Sequence, residues 1–236
     1  MTIVIDRYGV MGYPVSHSRS PVIHRLFALQ TNQNIQYELL QVAPDKLDSA
    51  VAQFQRTGGK GLNITVPHKT EVLRLADQLS ERAHVAGAVN TLMFQDGSVF
   101  GDNTDGIGLM RDLVGNLGLN LRDSHILILG AGGATRGIVG PLLESRPASL
   151  VIANRTLSKA RELAEQFSSA GPVTAYRFKE IPGSTRYSLI INATSAGLSG
   201  EAPPYPATAI SEGCVCYDLS YRLAPPPFSR WAAQHG

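Results

Sequence analysis

The chain has 236 residues, 43% hydrophobic and 17% charged, which excludes a disordered chain too polar to bury a core and a membrane protein made of apolar spans. A formal net charge of +2 provides no basic field for holding a nucleic-acid backbone by counterion release. At about 150 residues per domain, the length predicts one large or two small domains.

No apolar run approaches the roughly 20 residues of a membrane helix. At the start, MTIVIDRYGVMG, Asp6 and Arg7 interrupt what a secretory leader would need as its apolar region, so a cytoplasmic location is expected. The first hundred residues alternate β-rich and amphipathic stretches: RYGVMG, SPVIHRLFALQ, IQYELLQV, LDSAVAQFQR, GLNITVP and TEVLRLADQL. This βαβαβα rhythm predicts a mainly parallel sheet covered by helices, the last stretch being a helix. GDNTDGIGLMRDLVGNLGLN follows, its Gly101, Gly106 and Gly108 predicting a hinge into a connecting helix. A second α/β series runs through HILILG, a helical stretch, LVIAN, SKARELAEQF, YSLIINAT and VCYDLSY, with Pro-rich loops at APPYPAT and LAPPPF. Cys214 and Cys216 lie in the strand-like CVCYDL, where a disulfide is sterically unsuitable and two thiols alone make no zinc site. They are expected in the core. The predicted fold class is α/β, with two α/β domains, 1–105 and 106–236, and a cleft between them at the C-terminal ends of the strands, where such sheets hold ligands.

HILILGAGGATRG runs a buried strand into Gly130, Gly132 and Gly133 and then into a helix. Glycines there let the backbone approach a pyrophosphate at a helix N-terminus. Thr135 occupies the place of the third glycine of the GxGxxG pattern, and a tight turn alone can also require glycine. About 20 residues on, an NAD site carries an acid for the ribose 2′-hydroxyl. This chain instead has Asn154, Arg155, Thr156 and Lys159, with no acid before Glu162. An Arg and a Lys at a helix start suit a 2′-phosphate, favouring NADP. As a merely solvated face they would oppose the helix dipole.

In the first half, Ser20 before Pro21 reads as an N-cap with proline at the first helical position. With Ser18 it also forms a carboxylate-binding candidate. In GLNITVPHK, alternation puts Leu62, Ile64 and Val66 on one face and Asn63 and Thr65 on the other. Lys69 then stands at the start of the TEVLRLADQL helix, the wrong end for a cation, where dipole and desolvation would help it release a proton. Asn90 interrupts the apolar GAVNTL, and Asp105 in GDNTDG is either a helix cap or the partner of Lys69 in a proton-transfer dyad.

In this order and spacing, HSRSPVIH, GLNITVPHK, GAVNTL, GDNTDGIG, LGAGGATRG, ANRT, INATSAG and YDLSY resemble the shikimate dehydrogenase family over essentially the whole chain. The resemblance implies an N-terminal substrate domain, a Rossmann-type NADP-binding domain, and NADP-dependent reduction of 3-dehydroshikimate to shikimate. It implies that Ser18 and Ser20 hold the substrate carboxylate, that Asn63, Thr65, Asn90 and Asp105 bind ring hydroxyls, and that Tyr221 lies near the substrate. Lys69 becomes the proton donor and Asp105 its partner. Gly130, Gly132, Gly133 and Ala134 become the pyrophosphate turn, Asn154, Arg155, Thr156 and Lys159 the adenosine-phosphate clamp, and Thr194 and Ser195 part of a loop bordering the cofactor. The partner is a small molecule, the enzyme a monomer or homodimer. Two departures stand out. Relatives commonly carry a Gly and a Thr before Pro-Phe, whereas Pro225, Pro226 and Pro227 precede Phe228 here. The family's following helix, with its substrate-binding glutamine, has no counterpart, so part of the first domain's apolar surface is expected to lie uncovered. Two other readings compete: a quinate-type paralogue using NAD, against which Arg155 and Lys159 speak, and a cofactor-binding module with little turnover, against which the Lys69 and Asp105 pair speaks.

Overall fold

The computed structural model describes residues 5–196, 210–220 and 225–235. The chain divides into two compact units, Met1–Asp105 and Gly106–Gly236.

In the first unit the order is β1 (Asp6–Gly12), α1 (Ser20–Thr31), β2 (Ile35–Gln41), α2 (Leu47–Arg56), β3 (Gly59–Ile64), β4 (Gln78–Leu79), α3 (Glu81–Ala86), β5 (Thr91–Gln95) and β6 (Ser98–Asp102). The strands form one sheet in the order β2-β1-β3-β5-β6-β4. β1 pairs in parallel with β2 and β3, but β5 runs antiparallel to both β3 and β6. The expected mainly parallel sheet is therefore a mixed one. The cause is a tight hairpin in which Gln95 faces Ser98 across a two-residue loop of Asp96 and Gly97, at φ 51° and 83°; two left-handed residues match the twist of paired strands. Leu47, Val51 and Phe54 make one stripe of α2 and pack on Met11, Leu62, Ile64, Leu92, Phe94 and Val99, following helical and strand periods. On α1 only Ala28 is buried, and Val22, Leu26, Phe27 and Leu29 are each more than half exposed.

The TEVLRLADQL stretch is not an α-helix. It forms a five-residue 3₁₀ segment, Glu71–Leu75, followed by β4. Strand β6 recruits its second half: Asp77 N–H donates to the Val99 carbonyl at 2.8 Å, the Asp77 carboxylate accepts from Val99 N–H at 2.7 Å, and Ser80 N–H donates to the Gly101 carbonyl at 2.9 Å. Backbone pairing with a neighbouring strand overrides the local helical pattern. β3 also ends at Ile64, so Val66, expected on the buried face, is 39% exposed.

The second unit starts with α4 (Asp105–Met110), whose first residue is the last of the first unit, and a six-residue π-helical turn, Arg111–Asn116. There follow β7 (His125–Leu129), α5 (Gly133–Glu144), β8 (Ser149–Asn154), α6 (Leu157–Gln166), β9 (Val173–Arg177), β10 (Tyr187–Asn192), β11 (Ile210–Asp218) and α7 (Pro227–His235). All five strands are parallel, in the order β11-β10-β7-β8-β9. Ile126 to Leu129 are fully buried because a central parallel strand has both faces covered. Ile126 and Ile128 face the cluster containing Ile138 and Leu142, whereas Leu127 and Leu129 face Tyr187 and Phe228. Cys214 and Cys216 form no disulfide; expected in the core, they are partly buried and pack against the edge of this second cluster. Cys214 and burial push the Cys216 thiol well above its ordinary range. Among the described residues no helix is long and apolar enough to cross a membrane.

Candidate active site

Lys69 follows the strand-ending ITVP and is held by its own backbone, its carbonyl accepting from Val89 N–H at 2.7 Å. Its Nζ donates to Asp105 Oδ2 at 2.6 Å, and the two side chains are only 14% and 23% exposed. The other carboxylate oxygen, Oδ1, accepts from Asn90 Nδ2 at 2.8 Å. Asp105 is fixed in turn by Asn103, whose Oδ1 accepts from Asp105 N–H at 3.1 Å while its Nδ2 donates to the Ala88 carbonyl at 2.9 Å. Thus Lys69, Asn90 and Asp105 are brought together as the sequence predicted. The structure changes the reason. A five-residue 3₁₀ segment carries little aligned dipole, so the ion pair, rather than a helix end, defines the surroundings of Lys69.

Asn63 joins the same constellation. Its Oδ1 accepts from the Tyr37 hydroxyl at 2.6 Å, and its Nδ2 approaches Thr91 Oγ1 at 3.4 Å. His24 of α1 stacks on Tyr37, with ring centroids 4.1 Å apart. Burial holds the His24 imidazole below its ordinary value, and a hydrogen bond to Asn63 opposes this. Ser20 lies one turn before His24 on the same face of α1. The N-cap of α1 is Arg19, not Ser20 as expected; the Ser18 hydroxyl accepts from Ser20 N–H at 3.2 Å and donates to Ser20 Oγ at 3.0 Å. The two serines therefore form a hydroxyl pair at a helix N-terminus, suited to an anion. Thr65 directly follows the end of β3, its N–H donating to the Met11 carbonyl at 2.9 Å.

Beneath this constellation Asp102 accepts from Arg82, from Ser80 Oγ at 2.5 Å and from Asn103 N–H at 2.7 Å. The guanidinium first, then these hydrogen bonds, pull its carboxyl down to about 2. His68, next to Lys69, is buried with Nε2 2.7 Å from the Val42 carbonyl. Its role is structural.

In the second unit the β7–α5 turn is built on backbone. Gly130 has φ +107°, and a Cβ there would come 3.0 Å from the Ala193 carbonyl oxygen, so only glycine fits. Thr135 is fully buried and donates to the Gly130 carbonyl at 2.9 Å. This explains the residue standing at the third-glycine position: it locks the turn from inside. Gly132 is the N-cap of α5, without a side-chain cap, and a Cβ on it would meet nothing within 4 Å. The N–H groups of Gly133 and Ala134 begin the helix beside this open space. Arg136 bonds Glu162, and Gln166 at 2.7 Å, both on α6. At the end of β8, Asn154 Nδ2 donates to the Thr156 carbonyl at 2.9 Å, bending the chain into α6. Arg155, Thr156 and Lys159 are exposed, and neither cation has an ion pair among the described residues. At the end of β10, buried Asn192 accepts from Thr194 Oγ1 at 2.7 Å and from Thr194 N–H at 3.2 Å, shaping the loop before the exposed Ser195. Tyr221 lies outside the described residues.

The donor set fits a phosphorylated dinucleotide: an uncapped helix N-terminus with space above Gly132, and two cations, Arg155 just after β8 and Lys159 in the first turn of α6, with no acidic partner among the described residues. The sequence reading missed Tyr37, His24, Thr91, Asn103 and Thr104. Only the density of short polar residues in GDNTDG hinted at the last two; Tyr37 and His24 come from other elements and carry no local signal.

The chain matches the family model described as Shikimate dehydrogenase substrate binding domain over residues 10–92, and that for Shikimate / quinate 5-dehydrogenase over residues 112–199. It is 55% identical to a shikimate dehydrogenase (NADP(+)) of Methylococcus capsulatus over 97% of this chain and 82% of the relative. Among solved structures, the Ael1 enzyme of Pseudomonas putida is 43% identical with a TM-score of 0.85, covering 98% of this chain and 84% of that one. Shikimate 5-dehydrogenase of Thermus thermophilus, crystallised with NADP(H) and shikimate, is 32% identical with a TM-score of 0.84, covering 98% and 85%.

Proposed function

The chain belongs to the shikimate dehydrogenase family, and on that premise we propose that it interconverts 3-dehydroshikimate and shikimate with NADP in the cytoplasm, Lys69 moving the proton and Asp105 holding the lysine in place. The observation that carries this reading is Lys69 Nζ at 2.6 Å from Asp105 Oδ2, with Asn90 on the other oxygen. Residues 1–105 serve as the substrate domain and 106–236 as the NADP domain.

NADP, when bound, supplies or accepts the hydride at the substrate's carbinol carbon. Gly130, Gly132, Gly133 and Ala134 would hold its pyrophosphate through backbone N–H groups, and Asn154, Arg155, Thr156 and Lys159 its 2′-phosphate, with Thr194 and Ser195 bordering it. In the reductive direction the ketone oxygen gains electron density as the carbon is reduced, and the Lys69 ammonium gives it a proton. In the oxidative direction a neutral Lys69 takes the hydroxyl proton. Asp105 keeps Nζ from rotating away. Asn63, Thr65 and Asn90 hold ring hydroxyls, the Ser18 and Ser20 pair holds the carboxylate, and Tyr221 adds a contact to the ring.

The test is nicotinamide absorbance with purified protein, shikimate and NADP, repeated with NAD, with quinate, and with Lys69→Ala. NADP reduction with shikimate that falls about 10³-fold in the variant is the expected result. Equal turnover in the variant, or turnover only with quinate and NAD, sinks the reading.

A further inference from the structure

Thr91 was singled out by neither the motif pattern nor any role described so far, yet its hydroxyl joins two amides of the substrate site. Two groups of fixed polarity determine how Asn90 is turned. The Thr104 backbone N–H can only donate and points at one end of the Asn90 amide at 3.0 Å; the Asp105 carboxylate accepts and lies 2.8 Å from the other end. Asn90 therefore presents Oδ1 to Thr104 and Nδ2 to Asp105. The Thr91 hydroxyl lies 2.9 Å from that same Oδ1, so its single proton is directed there. Toward Asn63 the Thr91 oxygen is then left only as an acceptor, which selects Nδ2 at the 3.4 Å contact and turns Asn63 Oδ1 to the donating Tyr37 hydroxyl at 2.6 Å. The donors all run one way, from Tyr37 through Asn63, Thr91 and Asn90 to Asp105. A hydrogen-bond chain of uniform direction polarises each member in the same sense.

Resting on the function proposed above, we infer that Thr91 is a positioning residue that commits Asn63 to act as a donor toward the substrate. With Oδ1 engaged by Tyr37 and one N–H turned to Thr91, the second N–H of Asn63 is what remains for a ligand. The ring oxygen it meets must accept. Without the Thr91 hydroxyl, Asn63 keeps only Tyr37 and His24 as partners, each able to donate or to accept, so the polarity of Asp105 and Thr104 no longer reaches its amide, which can reverse and demand a donor where the ring oxygen had accepted.

The experiment compares wild type, Thr91→Val, which keeps the shape without the hydroxyl, and Thr91→Ser, which restores the hydroxyl. Each is assayed with shikimate and NADP, and each is titrated calorimetrically with shikimate alone. The expected result for Thr91→Val is a KM and a shikimate dissociation constant about tenfold higher, kcat within about threefold, and an unchanged KM for NADP, with Thr91→Ser close to wild type. Unaltered shikimate affinity in Thr91→Val overturns the inference. So does a Thr91→Ser variant as weak as Thr91→Val, which would assign the effect to the methyl group. A wild type that binds shikimate without turning it over removes the dehydrogenase reading, yet the titration still decides the role of Thr91; a wild type that does not bind shikimate overturns both.

Discussion

The two units build their binding surfaces from different materials. In the first, side chains hold side chains: Lys69, Asp105, Asn90, Thr91, Asn63 and Tyr37 form one continuous set of hydrogen bonds. In the second, the group proposed to bind is the backbone, at an uncapped α5 start at Gly132, beside exposed cations at Arg155 and Lys159 lacking an ion pair among the described residues. The difference follows from the ligands. A hydroxylated ring with one carboxylate requires donors and acceptors in fixed alternation, which only oriented side chains provide. A pyrophosphate requires several N–H groups converging on one anion, which a helix start provides without side chains. A pre-satisfied network is rigid and sensitive to truncation of any member; an open cradle tolerates change in its own stability but not in its ligand affinity.

That contrast can be broken most sharply at Asp105. Asp105→Ala leaves Lys69 and Asn90 without their shared acceptor, and kcat should fall about 100-fold with KM for NADP unchanged; a loss confined to the NADP KM would mean that the network does not serve the substrate. Next comes the support beneath it. The Asp102 carboxyl is held down at about 2 against an ordinary 3.8. A depressed carboxyl contributes stability that is complete above its ordinary value and is lost as the pH falls through the folded value. Asp102→Asn should therefore unfold ~2 kcal/mol more easily at pH 7, measured by urea denaturation, the difference from wild type closing between about pH 4 and about pH 2. A difference independent of pH would assign the effect to packing rather than charge.

The second unit should respond in affinity alone. Removing the guanidinium in Arg155→Ala should raise the KM for NADP about tenfold and leave that for NAD unaltered, because only the former carries the 2′-phosphate. Gly132→Ala is the smallest effect and the sharpest contrast. Its φ of −103° and ψ of −169° are open to any residue, and the added Cβ meets nothing within 4 Å. The thermal midpoint should stay unchanged while KM for NADP rises about threefold, the methyl group standing where the pyrophosphate approaches. A drop in the midpoint with no change in KM would reverse the assignment.

Much of this was legible in the residues because it is local. The glycine turn before α5, the basic pair after β8 and the buried HILIL strand each follow from a short segment read against backbone geometry and charge; the pairing of Lys69 with Asp105 spans 36 positions and was legible only through the order of the motifs. The hairpin of β5 and β6 was equally local, since QDGS carries the Asp-Gly turn signal, but the apparent βα rhythm drew the prediction to a mainly parallel sheet. β9 escaped because VTAYR is short and only half buried, with little apolar pattern to mark it.

Composition, periodicity and motif spacing determined the α/β class, the glycine turn at a strand end and the preference for a 2′-phosphorylated cofactor, because each rests on forces acting within a short stretch of chain. Tertiary structure decided the rest. It drew TEVLRLADQL out of a helix through backbone bonds to Val99 and Gly101, it set Thr135 under the Gly130 turn, and it placed Tyr37 and Thr91, 54 positions apart by their numbers, at opposite ends of one asparagine amide. The polarity of that amide is a property of the assembled chain of hydrogen bonds, since each member's orientation is defined only by its neighbours.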